Sequence, residues 1–290
     1  YNDLLLIQSF HESLDAHDRA AIENFYASTL PSLTAVYNDR SRNNSRISNP
    51  LPPEILGEAQ KQREFSELGL RYVVQARHAG QDPWLFLDMR AGRQRIMQEV
   101  AGKSVLNLFA YTCGIGVAAA KGGAAHVVNV DFAESSLNVG KANAHLNDLP
   151  IRLRFVQSDA FAAMRQLAGI KQAKMVRGKL MPAFPKLDAK QFDVVFLDPP
   201  CYAKSPFGVV DIVNDYAALM KPALLCTLEG GTLICCNNAA QVSRETFADQ
   251  LQRCATKAGR TIRELEWITP EADFPSPDGQ PPLKIALLRV

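Results

Sequence analysis

Apolar positions change their rhythm three times along the chain. In residues 3–30 they recur as Leu4, Leu5, Ile7 and Leu14, then as Ile22, Phe25, Tyr26 and Leu30. That spacing predicts two helices, the second capped by Asp15 or Asp18 and stopped by Pro31. From Asn38 to Pro53 the pattern lapses into Asn, Ser and Arg and ends in proline turns, which reads as a linker or exposed arm. Short runs at residues 64–68, 70–76 and 84–87 predict strands, with turns at Gly69 and around residues 80–83. A helix is expected next, over residues 91–100.

The third rhythm begins at residue 104. Buried-type strands are predicted at residues 104–109, 126–131, 151–157, 192–197 and 232–236. Helical patterns fall between them through 118–120 and at 134–145, 161–167, 211–228 and 244–257. Strands at 261–268 and 283–288 close the chain with no helix between them, so at least one runs antiparallel. This alternation predicts an α/β fold: a mostly parallel sheet with helices on both faces, preceded by a small N-terminal extension. The expected division is residues 1–100 for the extension and 101–290 for the main domain.

Composition narrows the reading. With 290 residues, 47% hydrophobic and 21% charged, the chain can bury a large core and carry an appendage. A net charge of +2 means that a polyanionic partner would have to be met by local clusters. Two exist. Lys171, Lys174, Arg177, Lys179, Lys186 and Lys190 face one acid, Asp188, and Arg40, Arg42 and Arg46 lie in the polar stretch. A solvated loop competes with phosphate binding for both. The six cysteines form no C-x-x-C pair, and no histidine stands at ligand spacing, so no zinc site is expected. Free thiols, no signal-peptide pattern and no bilayer-length apolar run predict a cytoplasmic location.

Candidate chemistry clusters at the predicted strand ends. The first strand runs through Asn107 into Phe109, Ala110, Tyr111 and the glycines Gly114 and Gly116, where backbone can approach a ligand closely. Asp131 ends the second strand, where a carboxylate can accept from both hydroxyls of a ribose. Asp159 and Ala160 end the third, suited to an adenine amino group; a helix N-cap is the compatible alternative for Asp159. Residues 114–119 also fit the dinucleotide pattern G-x-G-x-x-A, so an NAD-dependent oxidoreductase stays open. The fourth strand runs into Asp198-Pro199-Pro200-Cys201-Tyr202. Paired prolines fix a rigid rim for a planar base approaching a sulfonium methyl, and Tyr202 can stack on that base.

These segments resemble a known family. Asp-Pro-Pro-x-Tyr after the fourth strand, Asn-Leu-Phe-Ala-Tyr-Thr at 107–112, and Phe86-Leu87-Asp88-x-Arg90 are similar to the bacterial 23S rRNA methyltransferases of the RlmI and RlmK-like type. The likeness covers residues 64–290. It implies a Rossmann-like class I methyltransferase with a seven-stranded sheet, and S-adenosylmethionine as cofactor in the loop at 109–116. Asp131 would lie on the ribose and Asp159 near the adenine. Phe86, Asn107 and Phe132 belong to the same expected cofactor contacts. Asp88 and Arg90 would approach the methionine end of the cofactor, where Arg90 would meet the carboxylate, with a structural ion pair as the competing role. The partner implied is ribosomal RNA, engaged through Lys171, Lys174, Arg177, Lys179, Arg40, Arg42 and Arg46.

The chain departs from the family pattern in three places. Cys113 stands where relatives usually have glycine. Residues 1–60 read as helical and loop-like, unlike the PUA module of the RlmI type. Asn237 stands where the cytosine-C5 relatives carry a catalytic cysteine, whereas the guanine-N7 relative has Asn-Asn. Cytosine C5 is a poor nucleophile and needs a thiolate on C6, while guanine N7 has an in-plane lone pair. The expectation is direct displacement with Asp198 and Asn237 orienting the base, guanine N7 slightly favoured. Cys201 and Cys236 remain open as nucleophiles. A small-molecule or protein acceptor, or an inactive cofactor-binding scaffold, are the alternatives.

Overall fold

The computed structural model describes all residues except 31, 42–49, 78–81, 150–152, 171–174, 177–178, 181–182 and 277, with backbone alone at 175, 176 and 179. The chain divides into two units, Tyr1–Phe86 and Leu87–Val290. No helix among the described residues is long and apolar enough to cross a membrane.

The first unit runs β1 (Leu4–Ser9), α1 (Ala16–Thr29), β2 (Thr34–Asp39), α2 (Pro53–Gln60), β3 (Arg63–Glu67) and β4 (Leu70–Val74). The first expected helix is a strand. Leu4-Leu5-Leu6-Ile7 is an unbroken apolar run, which fits either element until packing decides. Here β1 pairs in parallel with β2, from Leu4↔Thr34 to Ser9↔Asp39, and α1 makes the crossover. Leu4 is then buried with Val36, Ala59 and Ala76. Helix α1 forms as expected, and the Asp15 side chain accepts from the Asp18 N–H at 2.8 Å. The expected linker starts too early: Asn38 lies fully buried in β2. Strands β3 and β4 form a hairpin whose turn places Leu68 (φ 54°) and Gly69 (φ 71°) in the left-handed region that tight hairpins need. The strand expected at 84–87 does not form; Leu87–Met89 is a 3-10 turn that opens the second unit.

In the second unit, helix α3 (Arg90–Glu99) precedes β5 (Ser104–Leu108), α4 (Gly114–Lys121), β6 (His126–Asp131), α5 (Glu134–Leu146), β7 (Leu153–Gln157) and α6 (Ala160–Leu167). A short antiparallel pair, β8 (Met175–Val176) and β9 (Lys179–Leu180), precedes β10 (Phe192–Leu197) and a hairpin, β11 (Tyr202–Ser205) and β12 (Gly208–Asp211). Then come α7 (Ala217–Leu225), β13 (Thr227–Asn237), α8 (Arg244–Lys257), β14 (Glu264–Ile268) and β15 (Lys284–Arg289). The break between units falls at 86/87 rather than 100/101 because α3 packs on the main sheet. A methyl group on Gly92 would come within 3.3 Å of Ile285 Cδ1 and 3.5 Å of Phe196 Cζ.

The seven-stranded sheet has the order β14-β15-β13-β10-β5-β6-β7. β15 runs antiparallel to both its neighbours, as the missing helix before it predicts, and the other pairings are parallel. The chain leaves β5 toward β6 and β7, then returns to the other side of β5 for β10 and β13. The direction of winding therefore reverses between β5 and β10, and a crevice opens beyond their carboxyl ends. Leu108 pairs with Leu197 in register, so the residues that follow them emerge side by side.

Candidate functional site

The loop after β5 is built on three non-glycine residues in the left-handed region: Phe109 (φ 56°), Tyr111 (φ 47°) and Cys113 (φ 60°). Left-handed backbone at such residues persists only where surrounding contacts over-determine it. Those contacts are present. The Ala110 N–H donates to Val130 O at 2.9 Å, the Cys113 N–H to Ala110 O at 2.7 Å, and the Asn143 side-chain amide to Thr112 O at 3.1 Å. Beneath the loop, Asn107 donates to Asn129 Oδ1 at 2.9 Å. A Cβ on Gly116 would sit 1.9 Å from that same oxygen, so only glycine fits there. Asn107 is buried in this pair and acts below the loop.

Asp131 ties the loop to β6. Its Oδ2 accepts from the Tyr111 N–H at 2.7 Å and its Oδ1 from the Ala133 N–H at 2.9 Å. Each oxygen keeps a second lone pair, which is what two neighbouring ribose hydroxyls require. Burial raises its carboxyl pKa above the ordinary value, and the backbone N–H groups oppose the rise. Phe132 follows it and leaves its ring 65% exposed. At the next strand end Asp159 caps α6, its Oδ1 accepting from Phe161 at 2.9 Å and Ala162 at 3.2 Å. The cap reading of Asp159 is thus realised. Acceptor oxygens at two adjacent strand ends, beside an exposed aromatic ring, fit an adenosyl group.

The acceptor loop leaves β10 at Asp198. Its carboxyl pKa is pushed up to about 7, first by removal from water and then by the negative charge of Asp88; a hydrogen bond from the Cys236 thiol and the charge of buried Arg93 pull the other way. Asp88 is itself raised by burial, with Arg93 opposing. The two carboxyl groups therefore form one acidic cluster, which puts Asp88 beside Asp198. Pro199 is buried while Tyr202 is 56% exposed, with Lys204 Nζ 5.5 Å from its ring centroid. Cys201 is exposed and its thiol donates to Asn238 Oδ1 at 2.9 Å. Burial of its sulfur raises its pKa, against the charge of Lys284. Lys284 is itself buried on β15 and donates to Ala239 O at 2.8 Å.

Asn237 does not meet the crevice. It is fully buried, donating to Ile212 O at 3.0 Å and accepting from the Ala239 N–H at 2.9 Å. Its amide holds the turn after β13, and the exposed amide beside Cys201 belongs to Asn238. The spacing of Asn237-Asn238 could not tell which of the two faces inward; the structure buries Asn237 and leaves Asn238 exposed. Arg90 is paired with Glu271 and Asp273 and lies 5.2 Å from the Phe274 ring. The structural ion pair is therefore the arrangement seen for Arg90, made with the loop after β14 and not with Asp88. Phe86 closes the first unit with an exposed ring. Arg40 pairs with Asp82 and lies over Phe10. Arg42, Arg46, Lys171, Lys174 and Arg177 lie outside the described residues, and Lys179 begins β9.

Known proteins share this family and this fold. The family model for S-adenosylmethionine-dependent methyltransferases matches residues 34–289. Ribosomal RNA large subunit methyltransferase I of Aeromonas salmonicida is 30% identical over 212 residues, 73% of this chain and 49% of that protein. The chain thus spans about half the length of the curated relatives it matches. A solved Streptococcus mutans protein described as a SAM-dependent methyltransferase is 24% identical with a TM-score of 0.75, covering 99% of this chain and 69% of its own. Another solved structure, complexed with S-adenosylhomocysteine, reaches a TM-score of 0.76 at 24% identity, covering 99% of this chain and 70% of its own. These two likenesses establish the fold. With the family match running across nearly the whole chain, this protein belongs to the S-adenosylmethionine-dependent methyltransferase family.

Proposed function

We propose that this chain methylates a base of large-subunit ribosomal RNA, at a ring nitrogen such as guanine N7 rather than at cytosine C5. The RNA class is supported by curated relatives named as large-subunit methyltransferases. One observation carries the choice of atom: the Cys201 thiol on the acceptor loop is bonded to Asn238 and Cys236, on β13, is buried, so neither is set up as a thiolate. Cys236 is buried and hydrogen-bonded to Asp198, and burial with the nearby carboxylates drives its pKa well up. The Cys201 thiol is raised as well and donates to Asn238. Attack on C6 of cytosine needs the thiolate, which both environments disfavour.

A ring nitrogen needs only alignment. Bound S-adenosylmethionine supplies an electrophilic methyl group on a sulfonium. The rigid Pro199-Pro200 rim sets the approach, and the exposed Tyr202 ring offers a stacking face. Transfer to N7 leaves a positive charge on the base, which ionised Asp198 stabilises. Lys204, on the same face of β11 as Tyr202, suits a phosphate contact.

The test is nucleoside mass spectrometry of large-subunit RNA after incubation with the protein and S-adenosylmethionine. 7-Methylguanosine is expected; 5-methylcytidine would reject the ring-nitrogen reading. A second reading, cytosine C5 through Cys201, draws on the Lys284 charge beside that thiol. It requires Cys201→Ala to abolish transfer, whereas the first reading requires that variant to stay active.

A further inference from the structure

We infer that Phe184, in the segment between α6 and β10, is a positioning residue for the cofactor's adenine and acts through Phe132. The inference rests on the methyltransferase reading above and adds a residue from outside the strand-end loops.

Phe132 stands directly after Asp131, at the edge of the slot bounded by Asp131 and Asp159. A ring left 65% exposed samples several rotamers unless a neighbour restricts it. Phe184 meets that ring edge to face, with centroids 6.2 Å apart and planes at 74°. On its other side Phe184 contacts Phe207, in the turn of the β11–β12 hairpin, at 5.6 Å. Three aromatic rings therefore link the adenine edge to the hairpin that carries Tyr202.

Phe184 is itself held. Gln166, on α6, donates to Pro185 O at 3.3 Å and accepts from the Leu187 N–H at 3.0 Å, and Leu187 is buried in the main core. The same helix begins at the Asp159 cap. The backbone carbonyl of Phe132 accepts from Gln157 at 3.3 Å, so the loop is fixed and the ring is what remains to be ordered. A buttress that restricts a ring before binding strengthens binding by reducing the freedom lost on complex formation.

A double-mutant cycle read by calorimetric titration with S-adenosylhomocysteine tests this. Phe184→Ala is expected to weaken binding about three- to tenfold, the range for one edge-to-face pair. With Phe132→Ala already in place, Phe184→Ala is expected to cost nothing further, because its effect passes through that ring. Melting temperature is followed in parallel, and if Phe184→Ala lowers it strongly, Phe184→Leu carries the cycle. Unchanged affinity in the single variant, or losses that multiply in the double variant, would overturn the inference while leaving the methyltransferase reading intact. A wild-type protein that takes up no S-adenosylhomocysteine would overturn both.

Discussion

The Cys113 side chain occupies the space that Gly140 leaves open. Cys113 sits at φ 60° at the start of α4, fully buried, and a Cβ on Gly140 would lie 2.5 Å from its sulfur and 2.8 Å from its Cβ. A cysteine where glycine is usual is thus matched by a glycine on the facing helix. Gly140→Ala is expected to destabilise the protein by about 1–3 kcal/mol through overpacking. Adding Cys113→Gly removes both clashing atoms and is expected to restore most of that loss in denaturant unfolding. A double variant no more stable than Gly140→Ala would show that the two residues do not interlock.

Asp198 makes stability depend on pH in a definite direction. Its folded pKa of about 7 lies above the ordinary carboxyl value, so the folded state holds the proton more tightly. The stabilising proton is fully present below about pH 4 and is lost as pH rises through about 7. Asp198→Asn is therefore expected to raise the melting temperature little at low pH and progressively more toward neutrality. A melting-temperature difference independent of pH would contradict this. Methyl transfer in the wild type should rise through the same interval, as the carboxylate forms.

Asn237 and Asn238 are expected to part company under mutation. Asn237→Ala leaves the Ile212 carbonyl and the Ala239 N–H without their partners and should cost about 1–3 kcal/mol of stability. Asn238→Ala removes an exposed amide and should leave unfolding almost unchanged while raising KM for RNA. The opposite pattern, an inert Asn237 and a destabilising Asn238, would mean that the turn after β13 is held differently.

Arg90 ties the loop after β14 to α3 through Glu271 and Asp273. These half-exposed pairs are worth at most about 1 kcal/mol. Arg90→Met should thus barely shift the melting temperature, yet speed amide exchange across residues 271–274. If exchange stays slow and S-adenosylhomocysteine binds an order of magnitude more weakly, Arg90 reaches the methionine carboxylate after all.

The strand-helix alternation from residue 104 onward was readable because parallel strands buried on both faces are continuous apolar runs bounded by helical spacing. Asp131, Asp159 and Asp198 were readable because each closes such a run. β1 was not, since four consecutive apolar residues carry no period. The β11–β12 hairpin was also missed: Val209 and Val210 merge with the helix that follows, and only the turn held by Asp211 and Asn214 separates them. The link between Asp88 and Asp198 spans 110 positions and needs tertiary structure to appear. Asn237 shows the limit of alignment to a motif, because the strand ends between two adjacent asparagines, burying the first and exposing the second.

The seat of α3 on the main sheet bears on how a minimal enzyme should be cut. Trimming to residue 101, just before the strand–helix alternation begins, would strip the cover from Phe196 and Ile285 and take away the acid that neighbours Asp198. Such a fragment is expected to aggregate and to lose the near-neutral titration of its acceptor loop. Trimming after Phe86 keeps the helix and the acidic cluster together. The short stretch from Leu87 to Glu99 thus covers Phe196 and Ile285 and also supplies the carboxyl group beside Asp198.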